Sequence, residues 1–420
     1  MNQANPPAAY KFVGPAVLMK QACAGADMTP LGEKLLAIAG GDPTEASADA
    51  LMDLSTILQI NGNREIALSV QMEALRLKQL YHLPAQRIVS NFRLFAPRVT
   101  SNIRLLAVMA PGDMMANTPV DFLLEDADIS LDILYLAADL PFPETLPEHD
   151  VLFVAVGESD ESQPLLEKMG AVLDEWPTPV LNHSDRISWL ARDRAFMLLR
   201  DLPGVVMPDT ARISRAELDG IADDTVSIQN YLTDAEFPLI VRPVGSHGGQ
   251  GLEKIDSTAD LRTYLQTRQE EEFYISRFID YSNADGLFRK YRVVLIEGKP
   301  YAAHMGISTH WMIHYMNSGM TDSAEKRAEE ERFMVEFDTS FAQRHAEALQ
   351  AIHESMQLDY LILDCAETHE GELLLFEVDT SAVVHAMDPV DLFPYKQPQM
   401  RKVFDAFRTM LVNAIERRPA

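Results

Sequence analysis

The sequence predicts an α+β protein built from three successive units, and three features of it say so. Apolar residues recur at helical spacing early in the chain, give way to short unbroken apolar runs near residue 100, and later alternate with glycine-rich turns. At 420 residues the chain exceeds what one hydrophobic core prefers, so two or three packed units are expected.

Residues 30–83 carry the first pattern, in LMDLSTILQI and then ALSVQMEALRLKQLY, with the Asn61-Gly62-Asn63 turn between them. This predicts an antiparallel helical hairpin within a module spanning residues 1–98. Ala67 and Ala74 beside Leu51, Leu54 and Leu58 make the hairpin resemble one tetratricopeptide unit. A lone unit cannot bury both faces, and arrays of this type need about three repeats, so a plain helical cap fits the same pattern. Next come IRLLAVMA, LDILYLA and VLFVAVG, read as strands of a small parallel sheet, with helices at residues 120–124 and across PLLEKMGAVLDEW; this unit covers residues 99–183. PTPVLN then enters one helix, SDRISWLARDRAFMLLRDL, capped by Ser184 and stopped by Pro203-Gly204. Residues 184–420 form the third unit, with strands in FPLIVRPV, EFYISRFI, YRVVLIEG, KPYAAHMGI, DYLILDCAE and ELLLFEVD. A Glu- and Arg-rich helix at residues 323–356 and another after Gln397 complete it.

Charge narrows the function classes. Thirty-six basic against 63 acidic residues give a net charge of -27, which repels nucleic-acid phosphates and anionic lipid, so neither nucleic acid nor membrane is expected as a partner. The opening MNQANPPAAYKF lacks the basic patch and apolar run of a secretory signal, and no apolar stretch is long enough to span a bilayer; a cytoplasmic protein is expected. Cys23 and Cys365 stand far apart, without partners at metal-ligand spacing, which sets aside a disulfide framework and structural zinc.

Three constellations carry candidate chemistry. In RPVGSHGGQG, Arg242 ends a strand and is followed by Gly245, Ser246, Gly248, Gly249 and Gly251. Glycines let backbone N–H groups approach phosphate oxygens and adopt positive φ, and a cation at the strand end attracts the same anion. Short glycine motifs arise by chance, so the loop alone reads as a ligand-free hairpin. Near the C-terminus, strand alternation puts Glu377 and Asp379 on one face, and the turn at Glu370-Gly371 brings Asp364 opposite them. Three converging carboxylates repel unless a cation lies between them, and hard oxygen ligands with room for phosphate suit magnesium. Between these segments, Arg289, Lys290 and Arg292 precede VVLIEG; a guanidinium there can brace a phosphate or an oxyanion, or simply face solvent.

The order of these motifs resembles the ATP-grasp superfamily, in its glutathione-synthetase, ribosomal-protein-modifying and D-alanine-D-alanine-ligase-like branch. The resemblance covers residues 180–400; it implies that the unit 184–420 divides into subdomains 184–275 and 276–420, and residues 99–183 resemble the small Rossmann-like domain that precedes this fold. The helical start with RPVGSHGGQGL, RKYRV and WMIHY is also similar to a bacterial group joining tetratricopeptide-like helices to the ligase fold. The resemblance implies ATP and Mg2+ as cofactors. Arg242 stands at the nucleotide-phosphate position, Gly245 to Gly251 cover the phosphates, Phe278 and Ile279 meet the adenine, and Asp364, Glu377 and Asp379 hold magnesium. Arg242 replaces the usual Lys, Asp379 the usual Asn, and SRFID stands where an acidic adenine contact is common; Arg keeps the charge but changes donor geometry. The implied activity is carboxylate–amine or carboxylate–thiol ligation through an acyl phosphate, acting on small-molecule or peptide carboxylates and amines. Arg292 would offset charge on the transferring phosphoryl group. The stretch HMGISTHWMIHYMNSGM would line the second-substrate pocket with His304, His310, Trp311, His314, Tyr315 and Asn317; His304 and His314 are taken as catalytic, with His385 behind them. A non-catalytic ATP-binding protein whose helical module recruits a protein partner is the alternative, and a homodimer is left open.

Overall fold

The computed structural model describes residues 10–85, 103–233, 235–246, 248–314 and 317–417. It opens with four helices, α1 (Pro15–Cys23), α2 (Thr29–Ala39), α3 (Glu45–Ile60) and α4 (Arg64–Leu77). Thr44 and Ser47 form a reciprocal cap at the start of α3, and Gly62, at φ 79°, turns the chain back into α4. This is the expected hairpin, and its Met52, Ala74 and Leu75 are buried in the same core as the first sheet. The helical run stops short of residue 83. Leu80–Leu83 is a strand, β1, because Tyr81 is wholly buried against Phe12 and Tyr135 while His82 faces solvent, a period of two rather than 3.6. The expected junction at residues 98 and 99 lies outside the described residues.

The first sheet continues with β2 (Ile103–Met109), the short helix α5 (Val120–Leu123), β3 (Ile129–Tyr135), β4 (Val151–Val154), α6 (Gln163–Asp174) and β5 (Val180–Leu181). Its order is β1-β3-β2-β4-β5, with β2 through β5 parallel and β1 an antiparallel edge. The expected single helix after it is broken into α7 (Ser184–Ile187), one 3₁₀ turn and α8 (Arg192–Leu199). Ala191 leaves the helical region at ψ 135°, and His183 rather than Ser184 accepts the cap bond from the Asp185 N–H. The break frees Arg192 to reach across to another strand, where it donates to the Phe376 carbonyl and the Glu377 carboxylate.

The chain then forms β6 (Val205–Val206), β7 (Thr210–Ser214), α9 (Arg215–Ala222), β8 (Leu239–Pro243), β9 (Glu253–Ile255), α10 (Thr258–Gln266) and β10 (Glu272–Arg277). Strands β7-β10-β8-β9 make an antiparallel sheet with a core of its own, including Ile213, Leu218, Leu239, Phe273 and Ile275. Then come β11 (Phe288–Ile296), β12 (Lys299–Ser308), α11 (Ala324–Glu336), α12 (Phe341–Arg344), α13 (Ala346–Met356), β13 (Tyr360–Glu367), β14 (Leu373–Asp379) and α14 (Lys396–Glu416). The third sheet runs β12-β11-β13-β14-β6, with β6 parallel to β14. The long helix expected at residues 323–356 is bent into three, because Phe333, Phe337 and Phe341 gather around the corner and two of these rings lie 4.7 and 5.0 Å from that of Tyr291. Among the described residues no helix is long and apolar enough to cross a membrane.

One core joins the first and third sheets. Phe407 of α14 is fully buried, 5.5 Å from the Phe153 ring of β4 and 5.6 Å from the Tyr360 ring of β13. Phe407→Ala should therefore lower unfolding free energy by about 3–5 kcal/mol in a denaturant titration; a loss below about 1 kcal/mol would mean that the two sheets do not share this contact.

Candidate active site

Strand β8 ends by aiming Arg242 into the interior, and the glycines after it let the backbone fold back over that side chain. Gly245, Gly248, Gly249 and Gly251 all take positive φ, and a Cβ at Gly251 would lie 2.8 Å from the Pro243 ring. Arg242 Nε donates to Ser246 Oγ at 3.2 Å and Nη2 donates to the Ser246 carbonyl, so the cation grips its own loop. Ser246 Oγ in turn donates to the Pro243 carbonyl at 2.8 Å.

The acidic residues stand on the third sheet as alternation requires. Asp364 pairs in register with Glu377 and Ile362 with Asp379, so the three carboxylates share one face of β13 and β14. Each has its own stabilising partners. Arg292, opposite Asp364 in register, makes a two-pronged ion pair with it, Nε at 2.7 Å and Nη2 at 3.0 Å, and Lys290 Nζ adds a contact at 2.7 Å. Arg192 pairs with Glu377. Asp379 Oδ1 accepts the backbone N–H groups of Thr380 and Ser381 at 2.7 and 2.9 Å. Among the described residues no three His, Cys, Asp or Glu side chains already form a metal cage.

The electrostatics leave two needs unmet. Burial and the like charge of Arg192 push the Arg242 guanidinium down to about 10, with Glu377 pulling the other way. Burial raises Glu377, but Arg192 and Arg242 outweigh it and hold this carboxyl below its usual range. Asp379 is raised by burial and by Glu377, against its two backbone donors and Arg292. For Asp364, burial is overcome by Arg292 and Lys290, which keep it well below the carboxylate range. Arg242 is thus short of an anion, because the Glu377 carboxylate it faces is already paired with Arg192, and Asp379, crowded by Glu377, is short of a cation.

The histidines surround this set. His304 on β12 stands opposite Arg292 in register; burial and the Arg292 and Lys396 cations keep it neutral, well below its ordinary range. His314 is lowered by burial, Lys290 and Arg292. Its Nε2 lies 3.9 Å from where a Cβ on Gly248 would sit, and Met312 Sδ lies 3.1 Å from the corresponding point on Gly249, so this segment abuts the glycine loop while His314 feels the charges of Lys290, Arg292 and Asp364. His385 is lowered by burial, Lys396 and Arg292, against Asp388. By contrast His310 and Asn317 are engaged locally, His310 Nδ1 accepting the Met312 N–H and Asn317 Oδ1 the His314 N–H. Trp311 and Phe278 meet edge to face at 5.9 Å with Lys254 over the Phe278 ring, whereas Ile279 packs beside Tyr281, Leu374 and Phe376. Tyr315 lies outside the described residues.

Sequence reading missed Arg192. No local motif marks it, and its partner Glu377 is 185 positions away. Gly157 was also missed; a Cβ there would lie 2.2 Å from Ser381 Oγ, so only glycine lets the first sheet approach the end of the acidic strand.

No protein-family model matches the sequence, and no curated protein does. Solved structures with partial likeness include a D-alanine–D-alanine ligase from Bacillus anthracis complexed with ATP, at a TM-score of 0.46 and 13% identity over 76% of this chain and 100% of that one. The VanG D-Ala:D-Ser ligase from Enterococcus faecalis gives 0.47 and 13% over 74% and 99%. An ATP-grasp RimK domain protein from Sphaerobacter thermophilus gives 0.39 and 16% over 74% and 99%. At these values the likeness carries no weight beside the geometry.

Asp364→Asn would leave Arg292 and Lys290 beside each other in a mostly buried site without their counter-charge. It should cost about 3 kcal/mol of stability in a denaturant titration, and Lys290→Met combined with it should recover part of that loss. A neutral Asp364→Asn would show that the trio is solvated rather than buried.

Proposed function

We propose that the chain is an ATP-dependent ligase that activates a carboxylate as an acyl phosphate and joins it to an amine, with a thiol as the other nucleophile class that fits. The observation that carries this reading is the pair of unmet needs at opposite ends of one site. Arg242 and Arg192 repel each other over a single carboxylate, Glu377, and Asp379, repelled by that carboxylate, makes no ion pair among the described residues. A triphosphate with its divalent ion supplies both missing charges at once.

In this reading the backbone of Gly245 to Gly251 and the Arg242 guanidinium hold the phosphates, and Phe278 and Ile279 flank the base. Glu377 and Asp379 would hold magnesium, with Asp364 beside them engaged by Lys290 and Arg292. When bound, magnesium screens the phosphate oxygens so that an anionic nucleophile can approach. Arg292 and Lys290, already paired and half-buried, are positioned to receive negative charge that grows as the acceptor carboxylate attacks the γ-phosphorus in line and ADP leaves. The amine then attacks the acyl carbon, and phosphate departs with the C–O electron pair. Neutral His304 or His314 can take the proton the amine loses.

The full pairing of Asp364 by two cations also favours a second reading, in which ATP binds without turnover and the helical module recruits a protein partner. ADP release separates them. With MgATP and a panel of carboxylate–amine pairs, the wild-type protein should release ADP, and hydroxylamine should trap a hydroxamate. Glu377→Gln should abolish most of this while keeping the fold, and Arg242→Ala should weaken ATP binding by about 10-fold or more, the worth of a charge-assisted contact. ATP binding with no turnover across the panel would favour the second reading; unchanged activity in Glu377→Gln would remove the metal assignment.

A further inference from the structure

In an open parallel sheet, ligands bind beyond the carboxyl ends of the strands where successive connections leave in opposite directions. The order β1-β3-β2-β4-β5 puts that point between β2 and β4. The loops leaving these strands are stitched together there. Gly157 N–H donates to the Ala116 carbonyl at 2.9 Å, Thr118 N–H to the Ala155 carbonyl, and Asn117 bridges Val156. The loop after β14 closes over the same place, since Ser381 Oγ abuts Gly157, two residues beyond Asp379.

Two features of this crevice are unexplained by the fold. The hydroxyls of Thr118, Thr380 and Ser381 are buried, at 0%, 0% and 4% exposure, and none makes a hydrogen bond among the described residues. Buried polar atoms without partners are rare, and these three lie on the loops that meet here, after β2 and after β14. Next to them is Glu158, whose backbone is fixed on both sides. Gly157 N–H is bonded to the Ala116 carbonyl, its carbonyl accepts from Ser162 Oγ at 2.6 Å, and Asp160 is held by both Arg212 prongs at 2.6 and 2.8 Å. Yet the Glu158 carboxylate forms no hydrogen bond or ion pair among the described residues. Arg194, whose charge it feels, donates to the Ser188 carbonyl, while Asp160, Asp193 and Asp379 all repel it.

We propose that Glu158 is the carboxylate that receives the ammonium group of the incoming amine substrate, in the crevice between β2 and β4, with the Thr118, Thr380 and Ser381 hydroxyls accepting or donating around the same molecule. This rests on the ligase reading and names the residue that selects its nucleophile. A primary ammonium supplies the charge Glu158 lacks, and it stands beside the acidic strand at the end where an acyl phosphate would form. Burial, with the nearby Asp160, raises the Glu158 carboxyl to about 7, the direction expected of a carboxylate placed for a cation that is not part of the chain.

The test is binding of free amino acids of both hands and simple alkylamines, followed by ligand-observed NMR on the full chain, with the N-acetyl counterpart of each. At least one primary amine should bind the wild-type protein, its acetylated form should not, and Glu158→Gln should weaken the binding by about 10-fold or more, as loss of a charged hydrogen bond does. Absence of any amine binding, equal binding of the acetylated form, or equal affinity in Glu158→Gln each overturns the assignment. The acetyl comparison uses only wild-type protein, so it stands even if the variant misfolds. A separate MgATP titration keeps the two readings apart: a protein that binds the amine but not ATP supports Glu158 and refutes the ligase, and one that binds ATP but no amine does the reverse.

Discussion

The structure depends on how buried charge is balanced across the face of β13 and β14. Putting three carboxylates on adjacent strand positions in a largely apolar sheet is affordable only with counter-charges close by. The chain supplies them from remote segments: Lys290 and Arg292 from the neighbouring strand, Arg192 from the start of a helix nearly two hundred residues upstream. These pairings fix how α8, β11 and β14 meet. They also leave an imbalance of definite sign, with Arg242 short of an anion and Asp379 short of a cation.

The architecture places that imbalance where ligands can reach it. The glycine loop rides on a sheet with a separate hydrophobic core, while the acidic strand belongs to the core that runs from Phe12 to Ala414. Two connections join these bodies, the segment after β6 and the one after β10, and they lie side by side through the Arg277 N–H bond to the Asp209 carbonyl. A sheet with its own core can shift as a unit without disturbing the packing behind the carboxylates, which suits a loop that must admit and then cover a triphosphate.

Much of this was legible in the sequence, for reasons that differ by element. The long strands of the first and third sheets announced themselves through unbroken apolar runs, and Glu-x-Asp on one such run implied a shared face, which the register of Asp364, Glu377 and Asp379 follows. The positive φ of the loop glycines was readable because little else explains four glycines in seven positions. Periodicity failed where elements are short or bent. Leu80–Leu83 holds too few residues to show alternation, Ala191 breaks a helix whose apolar spacing continues past it, and the Phe333–Phe337–Phe341 spacing looks helical although its rings pack around a corner. Contacts between distant segments were invisible in principle. Nothing near Arg192, Gly157 or Glu158 distinguishes them until folding brings residues 377, 381 and 379 alongside.

The central claim is that one site binds an anion at Arg242 and a divalent cation at Glu377 and Asp379 together. Crystals grown with Mn2+ and a non-hydrolysable ATP analogue test it most directly. The account predicts an anomalous peak coordinated by Glu377 and Asp379, with the phosphates between it and the Gly245 to Gly251 loop. Phosphates found elsewhere, or a metal peak away from both carboxylates, would contradict it.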